Sequence, residues 1–183
     1  MSRTYRVGAT LAVALASWRS SVGREILVDG YNVIKRDASF QSVRQRSFEA
    51  ARHALITQLI HRYRHTPHRV TVVFDGDAPH EQTTHEQRIR IIFSRAGESA
   101  DSVIARLAAQ ARAEGRDVEM FSDDLEVQHA VKSVGGTAQK TGQLTSQLNA
   151  PPKHLKRLAE HRRIVRRKYG LDPMRGKDDD YGD

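Results

Sequence analysis

The sequence predicts an α/β fold, a mostly parallel sheet covered by helices on both faces. Short apolar, β-branched runs alternate with longer segments of helical periodicity, in the order β-α-β-β-α-β-α. The first of these runs is apolar after its leading glutamate, as expected of a strand buried on both sides. The first two runs also stop at the same kind of pair, Asp29-Gly30 and Asp75-Gly76.

Residues 1–23 carry Arg3 and Arg6, a broken apolar stretch and no acidic residue. The stretch is too short to span a bilayer. It reads as a leader or loosely ordered extension of a cytoplasmic protein, with an organelle-targeting peptide as the second reading. Glu25 to Val28 is the first strand. Ser47 then opens a long helix with Phe48, Ala51, Leu55, Leu59 and Tyr63 on one face, closed by Thr66-Pro67. Arg69 to Phe74 is the second strand. The polar segment from Ala78 to Gln87 reads as a loop, and Arg88 to Phe93 as the third strand. Ser99 is placed to cap a helix carrying Val103, Ile104, Leu107, Ala108 and Ala111, which Gly115 ends. Asp117 to Phe121 is the fourth strand. Ser122 or Asp123 caps the next helix, which stops at Gly135-Gly136, and Thr137-Ala138 reads as a short edge strand. These elements make one domain over residues 24–148. Asn149-Ala150-Pro151-Pro152 marks its end, and residues 149–183 form a basic helical tail with an acidic terminus that reads as disordered.

Composition narrows the chemistry. With no cysteine, disulfide scaffolds, thiolate metal sites and thiol nucleophiles are excluded. A net charge of +8 favours a polyanionic partner, of which nucleic acid is the commonest. A soluble protein with a basic tail explains the same charge equally well. No glycine-rich phosphate loop is present, so no nucleotide cofactor is expected. Histidine metal motifs are also missing: His80-Glu81 and His85-Glu86 are five apart, not four, and all nine histidines read as solvated.

In an open α/β sheet, ligands bind where the carboxyl ends of the strands meet the helix N-termini. Asp29 and Asp75 end strands, Asp101 lies in a first helical turn, and Asp123 follows the fourth strand. Four carboxylates therefore converge on one edge. Each taken singly has a plain structural reading, as a turn residue or a helix-start charge. Together they raise one another's pKa or recruit a cation. Mg²⁺, which takes oxygen ligands and shares its shell with phosphates, is the natural occupant. Asp77, Glu98 and Asp124 lie near the same edge as second choices. Asn32 and Ser122 are supporting candidates, Asn32 to hold a carboxylate and Ser122 to orient Asp123.

Val28-Asp29-Gly30-Tyr31-Asn32, Ser47 to Arg52, Val72-Val73-Phe74-Asp75, Glu98-Ser99-Ala100-Asp101 and Phe121-Ser122-Asp123, in that order, resemble the YacP-like branch of the NYN domains. These are relatives of the PIN nucleases, and the resemblance covers about residues 25–148. It implies a PIN-like three-layer α/β/α sandwich and an Mg²⁺- or Mn²⁺-dependent endoribonuclease using one or two ions. Asp29, Asp101 and Asp123 become the implied metal ligands, with Asp75 as a fourth. It also implies an RNA partner, mRNA first, cut in association with the ribosome, and no membrane role. The tail is not part of that pattern. Its Lys156, Arg157, Arg162, Arg163, Arg166 and Arg167 are the candidate RNA or ribosome contacts. The alternative function is a non-catalytic RNA- or ribosome-binding module on the same fold.

Overall fold

A computed structural model describes residues 23–150 and 153–169. The expectations for residues 1–22 and for the acidic terminus therefore lie outside the described residues. The chain divides into two compact units, Met1–Leu148 and Asn149–Asp183.

The first unit is built on a six-stranded sheet. Its strands are β1 (Glu25–Asp29), β2 (Arg69–Phe74), β3 (Gln82–Glu86), β4 (Ile89–Phe93), β5 (Val118–Phe121) and β6 (Thr137–Gln139). The order across the sheet is β3-β4-β2-β1-β5-β6. Every neighbouring pair is parallel except β3 with β4. β1 is central and all five of its residues are buried, so its apolar run has no solvent face to advertise. The chain builds outward from β1 through β2 to β4, then crosses back to lay β5 on the other side of β1. The sheet's reversal point thus lies between β1 and β5, where open α/β sheets bind ligands.

The helices are α1 (Gly30–Arg36), α2 (Gln41–Arg46), α3 (Phe48–Tyr63), α4 (Ala100–Ala113), α5 (Leu125–Ser133) and α6 (Thr141–Asn149). Two buried cores separate them. Ile26, Val28, Val70, Val72, Phe74 and Phe121 pack with α1, α3 and Leu144 of α6. Leu27, Val73, Ile92 and Met120 pack with α4 and α5 on the opposite face. Alternate residues of one strand feed opposite layers, which is what a pleated strand covered on both sides must do. The three-layer sandwich is therefore present. The second unit contains α7 (Lys153–Lys168), in whose last turn stand Arg166, Arg167 and Lys168.

Several caps follow the sequence. Ser47 Oγ accepts from the amides of Glu49 and Ala50, and Ser99 Oγ from that of Ser102. Gly115 and Gly135 end α4 and α5 with φ of 75° and 81°, a backbone region that glycine enters without steric cost.

The differences have physical causes. Ala78 to Gln87 is not all loop: Gln82–Glu86 forms β3, an exposed antiparallel edge whose polar residues carry no apolar signal. α1 and α2 go unpredicted because seven and six residues are too few to show a period. α6 is likewise hidden in a polar stretch. Asp29-Gly30 is not a turn. Asp29 caps α1 directly, and Gly30 lies so close to Phe74 that an added Cβ would stand 2.2 Å from the ring. Phe48 is 43% exposed and lies edge-on to Tyr31 rather than in the core. His68 is half-buried, and its Nδ1 accepts from the Arg24 amide, so it is no solvated side chain.

Gly30→Ala is expected to destabilise the domain by roughly 1–3 kcal/mol through overpacking against Phe74. Urea unfolding of the variant beside wild type measures this, and an unchanged midpoint would show that the ring yields without cost.

Candidate metal and nucleic-acid site

The site begins with a carboxylate that the fold forces inward. Asp29 is the last residue of the central strand and is 6% exposed. Its Oδ1 accepts from the Asn32 amide at 3.1 Å, capping α1, and its Oδ2 accepts from Ser122 Oγ at 2.9 Å. Burial pushes its carboxyl up from the usual 3.8 to about 6. The two hydrogen bonds oppose this shift, and the negative charges of Asp101 and Asp75 add to it.

The other carboxylates come from helix starts and strand ends around it. Asp75 follows β2, and its Oδ1 accepts from the Ala100 amide at 2.8 Å, tying the strand end to the first turn of α4. The unpaired amides of a helix N-terminus favour such a carboxylate. One residue later, Asp101 is half-buried, and its carboxyl is also raised, by burial first and then by Asp124, Asp75 and Glu126.

Asp29, Asp75 and Asp101 line one cavity of about 150 Å³ together with Tyr31, Asn32, Lys35, Ala100 and Asp124. Asp123 is not among its lining residues. The Asp123 carboxylate turns to Thr141 at the start of α6 and accepts from that hydroxyl. Asp124 takes the cavity position and also caps α5, its Oδ1 accepting from the amides of Glu126 and Val127. The cap is thus neither Ser122 nor Asp123.

Ser122 and Asn32 support the site in ways the sequence does not show. Fully buried, Ser122 orients Asp29 rather than Asp123. Its Oγ also accepts from the Asp124 amide, and its carbonyl accepts from Gln128 Nε2. Asn32 uses its side-chain oxygen to accept from the Asp123 amide at 3.2 Å. Together, Ser122 and Asn32 lock the end of β1 to the turn after β5. Among the tail candidates, Arg162, Arg163, Arg166 and Arg167 are exposed, and the side chains of Lys156 and Arg157 lie outside the described residues.

Two cationic side chains missed by sequence reasoning border the carboxylates. Exposed Lys35 lines the cavity, one helical turn from Asn32, with its ammonium 5.8 Å from the centre of the Tyr31 ring. Half-buried Arg52 of α3 lines an adjoining groove of about 610 Å³, which shares Tyr31 and Asp75 with the cavity. Its Nη1 donates to the Tyr31 hydroxyl at 2.7 Å, and its guanidinium lies 5.6 Å from the Phe93 ring centre. A usable signal existed in Tyr31, Asn32 and Lys35, spaced as one helix face, once α1 is granted. Of the second choices, Asp77 lines the groove, and Glu98 is engaged by Arg95 and Arg106.

This donor set fits a hard divalent cation. It is all oxygen, the carboxyls of Asp29 and Asp101 are raised by burial and by neighbouring acids, and it opens onto a cavity. Among the described residues, no three His, Asp or Glu side chains stand grouped so that they alone could hold a metal ion. Mg²⁺ requires no such group, because it keeps several waters and binds through one or two carboxylates and substrate phosphates.

A three-layer sandwich with acidic side chains gathered at the carboxyl edge of its sheet defines a nuclease-like domain of PIN type. Comparison with known proteins agrees. The model of the YacP-like NYN domain matches residues 26–179, and the chain belongs to that family. The match runs beyond residue 148 and takes in the basic helix. The uncharacterized protein YacP of Bacillus subtilis (strain 168) is 29% identical over 136 residues, covering 72% of this chain and 79% of that protein. The crystal structure of Rae1 (YacP) from Bacillus subtilis superposes with a TM-score of 0.57 at 26% identity, covering 80% of this chain and 83% of that one. A point mutant of the same protein gives 0.60 at 28% identity, covering 81% and 87%.

The raised Asp29 pKa has a consequence for stability. In metal-free protein, the folded state holds a proton between pH 3.8 and about 6 that the unfolded state has lost. Stability contributed by this group is therefore present at low pH and lost as pH rises through about 6. Relative to Asp29→Asn, wild type should gain about 1.4 kcal/mol between pH 7.5 and pH 5. Urea titrations in EDTA at the two pH values test this, and a flat difference would show that burial is not raising the group.

Proposed function

We propose that this chain is a Mg²⁺- or Mn²⁺-dependent endoribonuclease that hydrolyses phosphodiester bonds of mRNA on ribosomes in the cytoplasm. The observation that carries the reading is the cavity lined by Asp29, Asp75, Asp101 and Asp124 at the sheet's reversal point. Asp29, Asp75 and Asp101 would hold one or two ions, with Asp124 in the place expected of Asp123. A bound ion supplies an activated water and charge stabilisation for the leaving oxygen. The chain's own residues do the rest. Ser122 and Asn32 hold the Asp29 carboxylate and the residue 123 backbone in register. Lys35 and Arg52 offer positive charge on two sides of the carboxylates, where a phosphate must be held against their repulsion. Tyr31 fixes the Arg52 fork.

Ribosomal mRNA is the substrate class implied by resemblance to the YacP-like branch. The exposed arginines of α7 supply phosphate contacts. A non-catalytic binding module would need basic residues alone, and it gives no role to a buried carboxylate that resists ionisation. Among the described residues no helix is long and apolar enough to cross a membrane.

Purified protein incubated with RNA, with and without ribosomes, should cleave in Mg²⁺ or Mn²⁺ and stop in EDTA. Asp29→Asn is expected to lose at least a hundredfold in rate, on the order expected when an ion's ligand is lost. Asp124→Asn should fall further than Asp123→Asn. Cleavage equal in wild type and Asp29→Asn under all conditions would sink the reading. Millimolar Mg²⁺ should also raise the melting temperature of wild type but not of Asp29→Asn, since binding to the folded state alone stabilises it. Truncation after Asn149 tests the tail: it should weaken RNA or ribosome binding at low salt, and unchanged binding would remove the tail's role.

A further inference from the structure

A second groove, of about 470 Å³, lies at the amino end of the strands, away from the carboxylates. Glu25 lines it and Asp29 lines the carboxylate cavity, so the two sites stand at opposite ends of β1. Four strand steps separate those residues, about 13 Å.

The sheet register assembles its floor. Arg90 of β4 pairs with Thr71 of β2 on one side and His85 of β3 on the other. Paired residues share a sheet face and stand about 4.8 Å apart. Arg69 precedes Thr71 by two residues and so shares that face. Arg88, in the turn between β3 and β4, stands in the walls with His68, Arg116 and, from α4 and its end, Leu107, Gln110 and Glu114.

The charge in this groove is unbalanced. Its two acids are already engaged: Arg116 Nη1 bonds Glu114 at 2.8 Å, and Arg116 Nε stands 3.5 Å from Glu25. Arg69, Arg88 and Arg90 form no ion pair among the described residues. The C-terminus of α4 attracts positive charge, but Arg112 already serves it, bonding the Arg116 carbonyl and Asp117. Three arginines from two strands and a turn, gathered beside one groove without carboxylates of their own, have the donors to bind phosphate oxygens.

We infer that this groove is a second RNA-binding site, which takes the phosphodiester backbone of a strand whose other part occupies the carboxylate cavity. The inference rests on the proposal that RNA is the substrate. The groove adds affinity for long RNA without reading sequence, because guanidinium contacts to phosphate carry no base information. It does not act on the carboxylate site through space. At 0.15 M salt the Debye length is about 8 Å, shorter than the strand between the sites. Only RNA long enough to reach both sites feels the groove.

The test compares wild type with an Arg69→Ala, Arg88→Ala, Arg90→Ala triple variant and the corresponding triple lysine variant. Binding of a 20-nucleotide single-stranded RNA is measured in EDTA across a salt series, so that cleavage plays no part. Loss of three phosphate contacts should make the slope of log affinity against log salt shallower by about 2. Affinity at 0.1 M salt should fall on the order of tenfold to a hundredfold. The lysine variant should keep most of both, since lysine also binds phosphate as a point charge. Cleavage of a dinucleotide, whose single phosphodiester must sit at the carboxylates, should be unchanged in all three proteins. Wild-type and alanine proteins with the same melting temperature establish that the fold is intact. An unchanged slope in the alanine variant overturns the groove. Equal losses for the long and short RNA also overturn it, by showing a general charge effect. If wild type binds the long RNA with the expected slope change but cleaves nothing, the nuclease reading fails while the groove stands.

Discussion

Everything at the carboxyl edge depends on one buried carboxylate. Asp29 ends a strand that is covered on both faces, so its side chain is almost wholly withdrawn from bulk water and meets it only through the carboxylate cavity. A carboxylate in that position is unfavourable when ionised unless donors or cations meet it. The fold supplies two donors, the Asn32 amide and the Ser122 hydroxyl, and they fall short of offsetting burial. The remaining imbalance leaves the carboxyl either to keep its proton or to meet a cation. Ser122 and Asn32 also stitch β1 to the turn after β5, so the group that most needs support fixes the geometry of its neighbours.

Strand order decides which residues can join it. Because the chain leaves β1 for β2 and β4 and returns to place β5 on the other side, the ends of β1 and β5 flank the reversal point. α1 leaves that end of β1 and α5 follows the same end of β5, while α4 begins beside Asp75. The helix N-termini contribute amides and capping carboxylates, and they converge because parallel strands share one direction. At the other end of the same strands, the register sets Arg90 beside Thr71 and His85. One sheet thus carries an acidic edge and a basic edge, a polarity that a long anionic chain can follow. Lys35 and Arg52 stand at the acidic edge, so phosphate need not approach carboxylates alone.

Much of the fold was legible because buried parallel strands are written as unbroken apolar runs. Residues 26–28 are such a run, residues 70–74 are broken only by Thr71, residues 88–93 show themselves by alternation, and Ser47, Ser99, Gly115 and Gly135 punctuate the helices. β3 was not legible, since an exposed edge strand of Gln, Thr, His and Glu has no core to face. α1 was hidden for a different reason. Asp-Gly is common turn chemistry, and only the Phe74 ring pressed against Gly30 explains why a glycine begins a helix there.

The sequence by itself determined the layer order and the convergence of Asp29, Asp75 and Asp101, because strand ends and helix starts of a parallel sheet must share an edge. It also determined an excess of positive charge and an acidic site without thiol or histidine ligands. Only the tertiary structure decided between Asp123 and Asp124. Both follow β5 directly, and the choice turns on which one caps α5 and which one meets Thr141 from a helix 18 residues further on. The tertiary structure also decided that Ser122 serves Asp29, 93 residues away in the chain, and that Arg52 stands beside the site. Long-range hydrogen bonds of this kind leave no local pattern, because the partner that fixes each side chain comes from another strand or helix.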